Sequence, residues 1–273
     1  MLTSAATADY RAAADSLTQS LLSNPPAPLP PVPMMMAIGS VTEEHYTRAM
    51  RKLAAEIIRQ GHVGPDASVL DIGCGCGRLA SALQRYLSDD GRYLGFDVWE
   101  DGIQWCQQNI ASVRSNFQFR TIAASDDYYY LKGDGSPNQF DLGFIPSASY
   151  DCIFAMSVFT HLKMNDARQY FAMIARALKP GGRACLTFFM IDEQVRAYLR
   201  ESRPSATFSR TDEGLWHAYG EKEYGFFAGF EEPVLLRLFE ENGLKVLDRT
   251  LGAWASRPGA RTYQDWYLVQ RPA

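Results

Sequence analysis

Residues 69–77 read Val-Leu-Asp-Ile-Gly-Cys-Gly-Cys-Gly, and this stretch decides the fold. An apolar run ends in Asp71, turns through Gly73, Gly75 and Gly77, and opens into the helical pattern Arg78–Leu87. Glycine adopts φ > 0 without steric penalty and lets bare backbone approach a ligand, so the segment describes a strand, a tight turn and a helix arranged around something bound. No Lys-Ser/Thr pair follows, which excludes a phosphate loop. The turn also departs from the dinucleotide fingerprint G-x-G-x-x-G, whose third glycine would fall at position 78, occupied by Arg. Asp71 beside the turn would repel a diphosphate and suits a cationic ligand, such as one carrying an ammonium and a sulfonium.

Outward from the turn, strands and helices alternate. Strand 67–72 leads into a helix over 78–88, strand 92–97 into a helix over 100–111, and strand 117–122 into a polar, aromatic loop over 123–149. Strand 150–156 precedes a helix over 166–178 that stops at Lys179-Pro180-Gly181-Gly182, and strand 183–190 follows. Such alternation predicts a parallel sheet with helices on both faces. A short helix near 192–200 introduces residues 203–232, where Trp216, His217, Tyr219, Tyr224, Phe226, Phe227 and Phe230 stand among glycines and charges. The stretch is too aromatic for a disordered linker and reads as a long loop that binds or covers something. A helix over 233–242 ends at Asn242-Gly243. The connection between strands 244–250 and 263–270 is too short for a helical crossover, so these two pair antiparallel.

The N-terminal part follows different rules. Tyr10, Ala14, Leu17 and Leu21 have helical spacing, giving a helix over about 5–22. Pro25, Pro26, Pro28, Pro30, Pro31 and Pro33 then impose an extended strap. A second helix over 42–60 has Thr42 to cap it and Gly61 to end it. The organisation is thus a helical and proline-rich extension, 1–41, before an α/β domain, 42–273.

Composition bounds the function. The chain has 273 residues, 47% of them apolar, enough for a sizeable core, and a net charge of −4 that offers no electrostatic footprint for nucleic acid. No apolar run approaches the ~20 residues of a membrane span. The first twenty residues carry Asp9, Arg11 and Asp15 where a signal peptide would be apolar. A cytoplasmic enzyme with no membrane partner is expected. Cys74, Cys76, Cys106, Cys152 and Cys185 read as reduced thiols, and no second Cys/His pair at zinc spacing accompanies Cys74 and Cys76.

Over about residues 42–271 the chain resembles the class I S-adenosylmethionine-dependent methyltransferases. The resemblance rests on an ordered set: the turn Val69–Gly77; the acid ending Tyr93-Leu-Gly-Phe-Asp97; the segment Tyr150-Asp-Cys-Ile-Phe-Ala-Met-Ser-Val-Phe-Thr-His-Leu162; and Ala175-Arg-Ala-Leu-Lys-Pro-Gly-Gly-Arg183. It implies a Rossmann-like, seven-stranded, mostly parallel sheet whose last strand runs antiparallel, and S-adenosylmethionine as methyl donor. Gly73, Gly75 and Gly77 would lie under the methionine part of the cofactor, with Asp71 near its amino group. Asp97 would accept from the ribose hydroxyls, and Val98 or Trp99 would cover one face of the adenine. The family pattern places an acid soon after the third strand, where this chain has Ala123-Ala124, so Asp126 or Asp127 is the candidate for the adenine amino group. Met156 and Ser157 would border the sulfonium and the acceptor. A narrower similarity, carried by residues 92–107, Thr187–Glu193 and Gly252–Asp265, is to methyltransferases often associated with sugar and glycan modification, and it favours oxygen as the acceptor.

An alcohol must lose its proton as it takes the methyl group. His161, just past the fourth strand, is the natural general base, since an imidazole titrates near neutrality. It also reads as a cap or packing residue. His217 is the second candidate, reaching a pocket only if 203–232 folds over the sheet edge as a lid. A divalent cation could instead acidify the hydroxyl. Asp126, Asp127, Asp134, Asp141, Asp192 and Glu193 are available, but none stands at a diagnostic ligand spacing, and no metal ligand is assigned. The residues therefore predict transfer of a methyl group to a small-molecule or glycan hydroxyl. An N-methyltransferase acting on a small amine and a non-catalytic S-adenosylmethionine-binding protein are the alternatives. The segment 203–232 reads equally as an interface in a homodimer.

Overall fold

The computed structural model describes residues 4–123, 141–202, 208–219 and 226–273. The chain divides into two units, Met1–Ile122 with Ser149–Phe154, and Ala123–Ala148 with Ala155–Ala273. In the first unit, α1 (Ser4–Ser23), α2 (Val32–Ala37) and α3 (Glu43–Gly61) precede β1 (Ser68–Ile72), α4 (Arg78–Leu83), β2 (Arg92–Asp97), α5 (Glu100–Cys106), β3 (Phe117–Thr121) and β4 (Tyr150–Ala155). Thr42 accepts the His45 N–H at 3.0 Å, satisfying one of the donors that open α3, and His62 closes the helix in the left-handed conformation. The amphipathic pattern of α3 buries Tyr46, Met50, Leu53, Ile57 and Ile58. Ala14, Leu17 and Leu21 of α1 are buried as their spacing predicts.

The proline strap is shorter than expected. Pro33 occupies the first turn of α2, where a missing N–H costs nothing. Two helices also differ from the sequence reading. The helix after the glycine turn ends as α4 at Leu83, and α5 passes at Gln107 into a π-helical turn, Gln107–Ala111. The strands β1, β2 and β3 are parallel neighbours, with Asp71 level with Gly95 and Tyr93 level with Phe117. Val69, Leu70 and Ile72 are fully buried, as strands covered on both faces require.

The second unit contains α6 (Met164–Ala177), β5 (Leu178–Phe188), α7 (Glu193–Ser202), β6 (Phe208–Arg210), β7 (Leu215–Tyr219), β8 (Phe226–Phe230), α8 (Glu232–Glu241), β9 (Lys245–Thr250) and β10 (Asp265–Gln270). The seven-stranded sheet has the order β3-β2-β1-β4-β5-β10-β9, with β10 antiparallel to both neighbours. Phe171, Phe188, Phe230, Phe239 and Tyr267 fill the core of this unit with edge-to-face contacts, Phe188 meeting Phe230 at 5.6 Å and 81°. Lys179–Gly182, expected to stop the preceding helix ahead of a strand over 183–190, already belongs to β5: the Gly181 N–H donates to the Arg271 carbonyl and the Arg271 N–H to the Gly182 carbonyl. Among the described residues no helix is long and apolar enough to cross a membrane.

Residues 203–232 are not an irregular loop. Their described part is a three-stranded antiparallel sheet, β6-β7-β8, with Trp216 level with Arg210 and Gly229. Aromatic residues favour a pleated, half-buried surface, and a turn over Thr211–Gly214 reverses the chain, Gly214 at φ 80° donating to the Thr211 carbonyl.

One buried carboxylate fastens the segments around β10. Asp265, with no exposed surface, accepts from the Met190 and Gly252 N–H groups and the Trp254 indole, each at 2.7 Å, and from Arg257 at 3.0 Å. Arg257 also pairs with Asp192, which accepts the Val195 N–H at the start of α7. Removing the carboxylate leaves three buried donors unpaired and takes from the buried Arg257 one of its two acid partners. Asp265→Ala is therefore expected to lower stability by roughly 3–5 kcal/mol in urea unfolding. A loss below about 1 kcal/mol would mean that water or local repacking replaces the carboxylate.

Candidate active site

The first unit builds its site around the turn after β1. The N–H groups of Gly73 and Cys74 both donate to the Phe96 carbonyl, at 2.9 and 3.2 Å, which ties the turn to the end of β2. Gly73, Gly75 and Gly77 all have positive φ, at 70°, 55° and 75°. Close approach excludes side chains as well. A Cβ on Gly77 would lie 2.8 Å from the Cys106 sulfur, and one on Gly75 would lie 3.0 Å from the Ile38 side chain.

Asp97 fixes this geometry. Its Oδ2 accepts the Gly75 N–H at 2.7 Å and its Oδ1 accepts the Trp99 N–H at 3.0 Å. Burial raises its pKa, opposed by the backbone N–H groups of Trp99, Gly75 and Val98. Four lone-pair sites against three donors leave room for a ligand hydroxyl. Val98 and Trp99, both half-buried, follow directly, and a Cβ on Gly102 would come within 2.7 Å of the Trp99 ring and 2.9 Å of the Gly75 carbonyl. Asp71 is buried and accepts the Tyr93 phenol. Burial pushes its carboxyl up to about 7, against the opposing pull of Tyr93, while Asp97 adds to the rise and Arg78 reduces it.

Sequence reasoning missed the segment that lies on this turn. Arg78 donates to the Ile38 carbonyl at 3.0 Å and to the Ser40 hydroxyl at 3.3 Å, and the Cys76 thiol contacts the Met34 carbonyl. Residues 34–40 therefore belong with the glycine turn. The apolar run Met34-Met35-Met36-Ala37 after the prolines was the available signal.

The second unit holds the remaining candidates. Met156 is half-buried, and Ser157 is exposed with φ 58°, a strained value for a residue with a side chain. The Ser157 N–H donates to the Thr187 hydroxyl at 2.9 Å, and its own hydroxyl donates to Gln264 at 3.1 Å. His161 ends a 3₁₀ turn, Phe159–His161, and is half-buried. His217 sits on β7, its backbone level with Ser209 and Ala228. Asp126 and Asp127 lie outside the described residues. The structure thus gathers Asp71, the three glycines, Asp97, Val98 and Trp99 at one turn, and joins Ser157 to Thr187 and Gln264.

A methyltransferase-domain family model matches residues 69–182, from the glycine turn through Gly182. Within these residues, somewhat under half of the chain, the sequence is similar to that methyltransferase-domain family. It is 24% identical over 145 residues to an O-methyltransferase of Pyrenophora dematioidea, covering 53% of this chain and 48% of that one. An O-methyltransferase of Aspergillus nomiae is 30% identical over 124 residues, covering 45% and 47%. The match therefore spans about half the length of these curated relatives. The fold is similar to that of the Burkholderia thailandensis 1,6-didemethyltoxoflavin-N1-methyltransferase, with a TM-score of 0.56 and 18% identity, covering 100% of this chain and 92% of that one.

Asp71 gives the protein a pH signature. Its folded pKa lies above the ordinary 3.8, so the protonated form favours the fold; that contribution is complete below the unfolded value and is lost as pH rises through about 7. The unfolding free energy of the wild type relative to Asp71→Asn should fall between about pH 5 and about pH 8, by at most ~1.4 kcal/mol per unit. Urea titrations of both proteins at the two pH values measure it, and a difference independent of pH would contradict the raised pKa.

Proposed function

We propose that this protein is a class I S-adenosylmethionine-dependent methyltransferase that moves a methyl group from S-adenosylmethionine to a hydroxyl oxygen of a small molecule or glycan. The observation that carries the cofactor half is the glycine turn locked by Asp97 beside the buried Asp71. The residues fit the group: the turn excludes side chains where backbone must meet a ligand, and both acids have acceptor capacity at its two ends. S-adenosylmethionine supplies an activated methyl group on a sulfonium. Gly73, Gly75 and Gly77 cradle its amino-acid end, Asp71 faces the ammonium, Asp97 accepts from the ribose, and Val98 and Trp99 flank the adenine. Asp126 or Asp127 remains the candidate for the adenine amino group.

On the acceptor side, Met156, Ser157 and His161 are the residues we assign, with His161 taking the proton as general base. His217 is the second candidate base. Oxygen as the acceptor is supported by the O-methyltransferase names of the two partial relatives. Phe189 stacks on Phe227 at 4.8 Å and lies against Trp254 at 4.6 Å, beside the exposed ring of Tyr263. Such aromatic faces suit a sugar or an aryl ring, and either would carry the hydroxyl. The Burkholderia enzyme is by name an N1-methyltransferase, so amines belong in the same screen.

Release of S-adenosylhomocysteine in the presence of sugar, phenol and amine acceptors tests the proposal. Turnover with hydroxyl compounds is expected, and turnover with amines alone would replace oxygen by nitrogen. His161→Ala is expected to lower kcat by ~10²–10⁴ while leaving S-adenosylhomocysteine affinity near wild type. Unchanged kcat would make His161 a structural residue.

A further inference from the structure

In the second unit, a strained serine and a nearly buried glutamine are held together at the end of β5. Ser157 has φ 58°, and its N–H donates to the Thr187 hydroxyl at 2.9 Å. That hydroxyl donates in turn to the Ala155 carbonyl at 3.4 Å, so Thr187 has no hydrogen left for a ligand and serves to fix the Ser157 backbone. Strain of this kind persists where the surroundings over-determine the position of a side chain. The Ser157 side chain so placed is exposed and meets Gln264 at 3.1 Å. Gln264 is only 9% exposed, and among the described residues its amide is engaged through the oxygen alone. The backbone that carries it is also fixed. The Ala253 and Trp254 N–H groups donate to the Thr262 and Tyr263 carbonyls, each at 2.9 Å, and a Cβ on Gly252 would lie 2.3 Å from the Tyr263 oxygen and 2.4 Å from the Gln264 carbonyl carbon.

The pair presents one donor and one acceptor side by side, whichever way the amide is turned. With Ser157 donating to Oε1, the amide nitrogen gives and the serine oxygen receives; with the amide reversed, Oε1 receives and the serine hydroxyl gives. A hydroxyl that keeps its proton answers both, since it gives and accepts at once. A hydroxyl undergoing methylation loses that proton, so the group the pair suits is a different one on the same molecule. An apolar wall stands next to it. Thr187 is level with Trp266 across β5 and β10, and Phe189 and Gln264, two residues further along each chain, continue that face. Phe189 is half-buried, and Tyr263, 69% exposed, stands edge-on to it at 6.4 Å and 88°.

We infer that Gln264 and Ser157 form a clamp for a second, non-reacting hydroxyl of the acceptor, whose ring lies against Phe189 and Tyr263. The inference rests on the reading that the acceptor is a hydroxyl compound. It narrows that class to rings carrying at least two hydroxyls, aryl or sugar-like, and it makes Gln264 a specificity-determining residue, with Thr187 a positioning residue behind Ser157.

The test has a binding arm and a turnover arm. Affinities for phenol against anisole, and for cyclohexanol against its methyl ether, are measured by NMR titration with the wild type, Gln264→Leu and Ser157→Gly. The wild type is expected to favour the hydroxyl member of each pair about 3–10-fold, the range of neutral hydrogen bonds, and the variants to bind both members within about 2-fold. Glycine suits φ 58° and keeps the N–H bond to Thr187, so Ser157→Gly tests the clamp in a folded protein even if Gln264→Leu disturbs the fold. A wild type without the preference, or a preference that survives in a folded variant, overturns the clamp. In the turnover arm, S-adenosylhomocysteine release from 1,2- and 1,3-dihydroxybenzene and from cis-1,2-cyclohexanediol is compared with release from phenol and cyclohexanol. At least one diol should exceed its single-hydroxyl parent about 10-fold in kcat/KM, which identifies the ring as aryl or saturated, and Gln264→Leu should remove the advantage mainly through KM. Diols turned over no better than their parents overturn the second hydroxyl. No release from any hydroxyl compound overturns the hydroxyl-acceptor reading instead, and the binding arm still decides the clamp.

Discussion

The hydrogen bond from the Gly75 N–H to Asp97 is the constraint on which the first unit depends. It joins the turn after β1 to the end of β2 and holds Gly75 where only a residue without Cβ fits, since a side chain there would meet Ile38. A charged acceptor makes this bond worth about 1.5–3 kcal/mol, comparable to the cost of ordering one or two residues of the turn. The same carboxylate takes the Trp99 N–H and so sets the entry to α5, which then comes close enough for Gly102 to lie against the Gly75 carbonyl. A single acid thus positions backbone, aromatic ring and helix.

The two buried acids of the turn illustrate how environment separates identical side chains. Asp97 accepts from three backbone N–H groups, which favour its charged form against burial. Asp71 has the Tyr93 phenol and a nearby guanidinium to oppose its desolvation, and its carboxyl reaches about 7. A fixed set of amides suits an acid that must stay an acceptor for neutral hydroxyls. An acid that titrates near neutrality in the absence of a partner is instead poised to ionise when a cation is placed beside it.

What was legible in the sequence is local. The glycine spacing, the acid at position 97, the Thr42 cap and the alternation of strands and helices are written within a few residues of where they act. The short connection before β10 was enough to infer its antiparallel pairing. What escaped reading depends on partners far along the chain. The strands β6, β7 and β8 interleave aromatic residues with glycine and charge, so their period-2 pattern is weak until the pairing of Trp216 with Gly229 is known. The segment 34–40 reaches Arg78 only through the tertiary fold, and the π-helical turn at Gln107 has no local signature.

The stretches that carried the narrower similarity to sugar-associated methyltransferases show why acceptor identity is harder to read than cofactor use. Gly252, Trp254, Arg257 and Asp265 lie in one buried network, tied through Arg257 to Asp192 at the surface, where their polar groups satisfy one another. Their spacing is explained by the demands of a buried carboxylate with four donors, independently of any acceptor. Beside that network stand residues under no such demand: Ser157 is exposed and bonded to Gln264, and Tyr263 is exposed with its edge toward Phe189. A rigid frame with adaptable side chains on its surface can change its acceptor without losing its fold. Motifs in such a frame report how the backbone is held, and specificity resides in the neighbours that the frame leaves free.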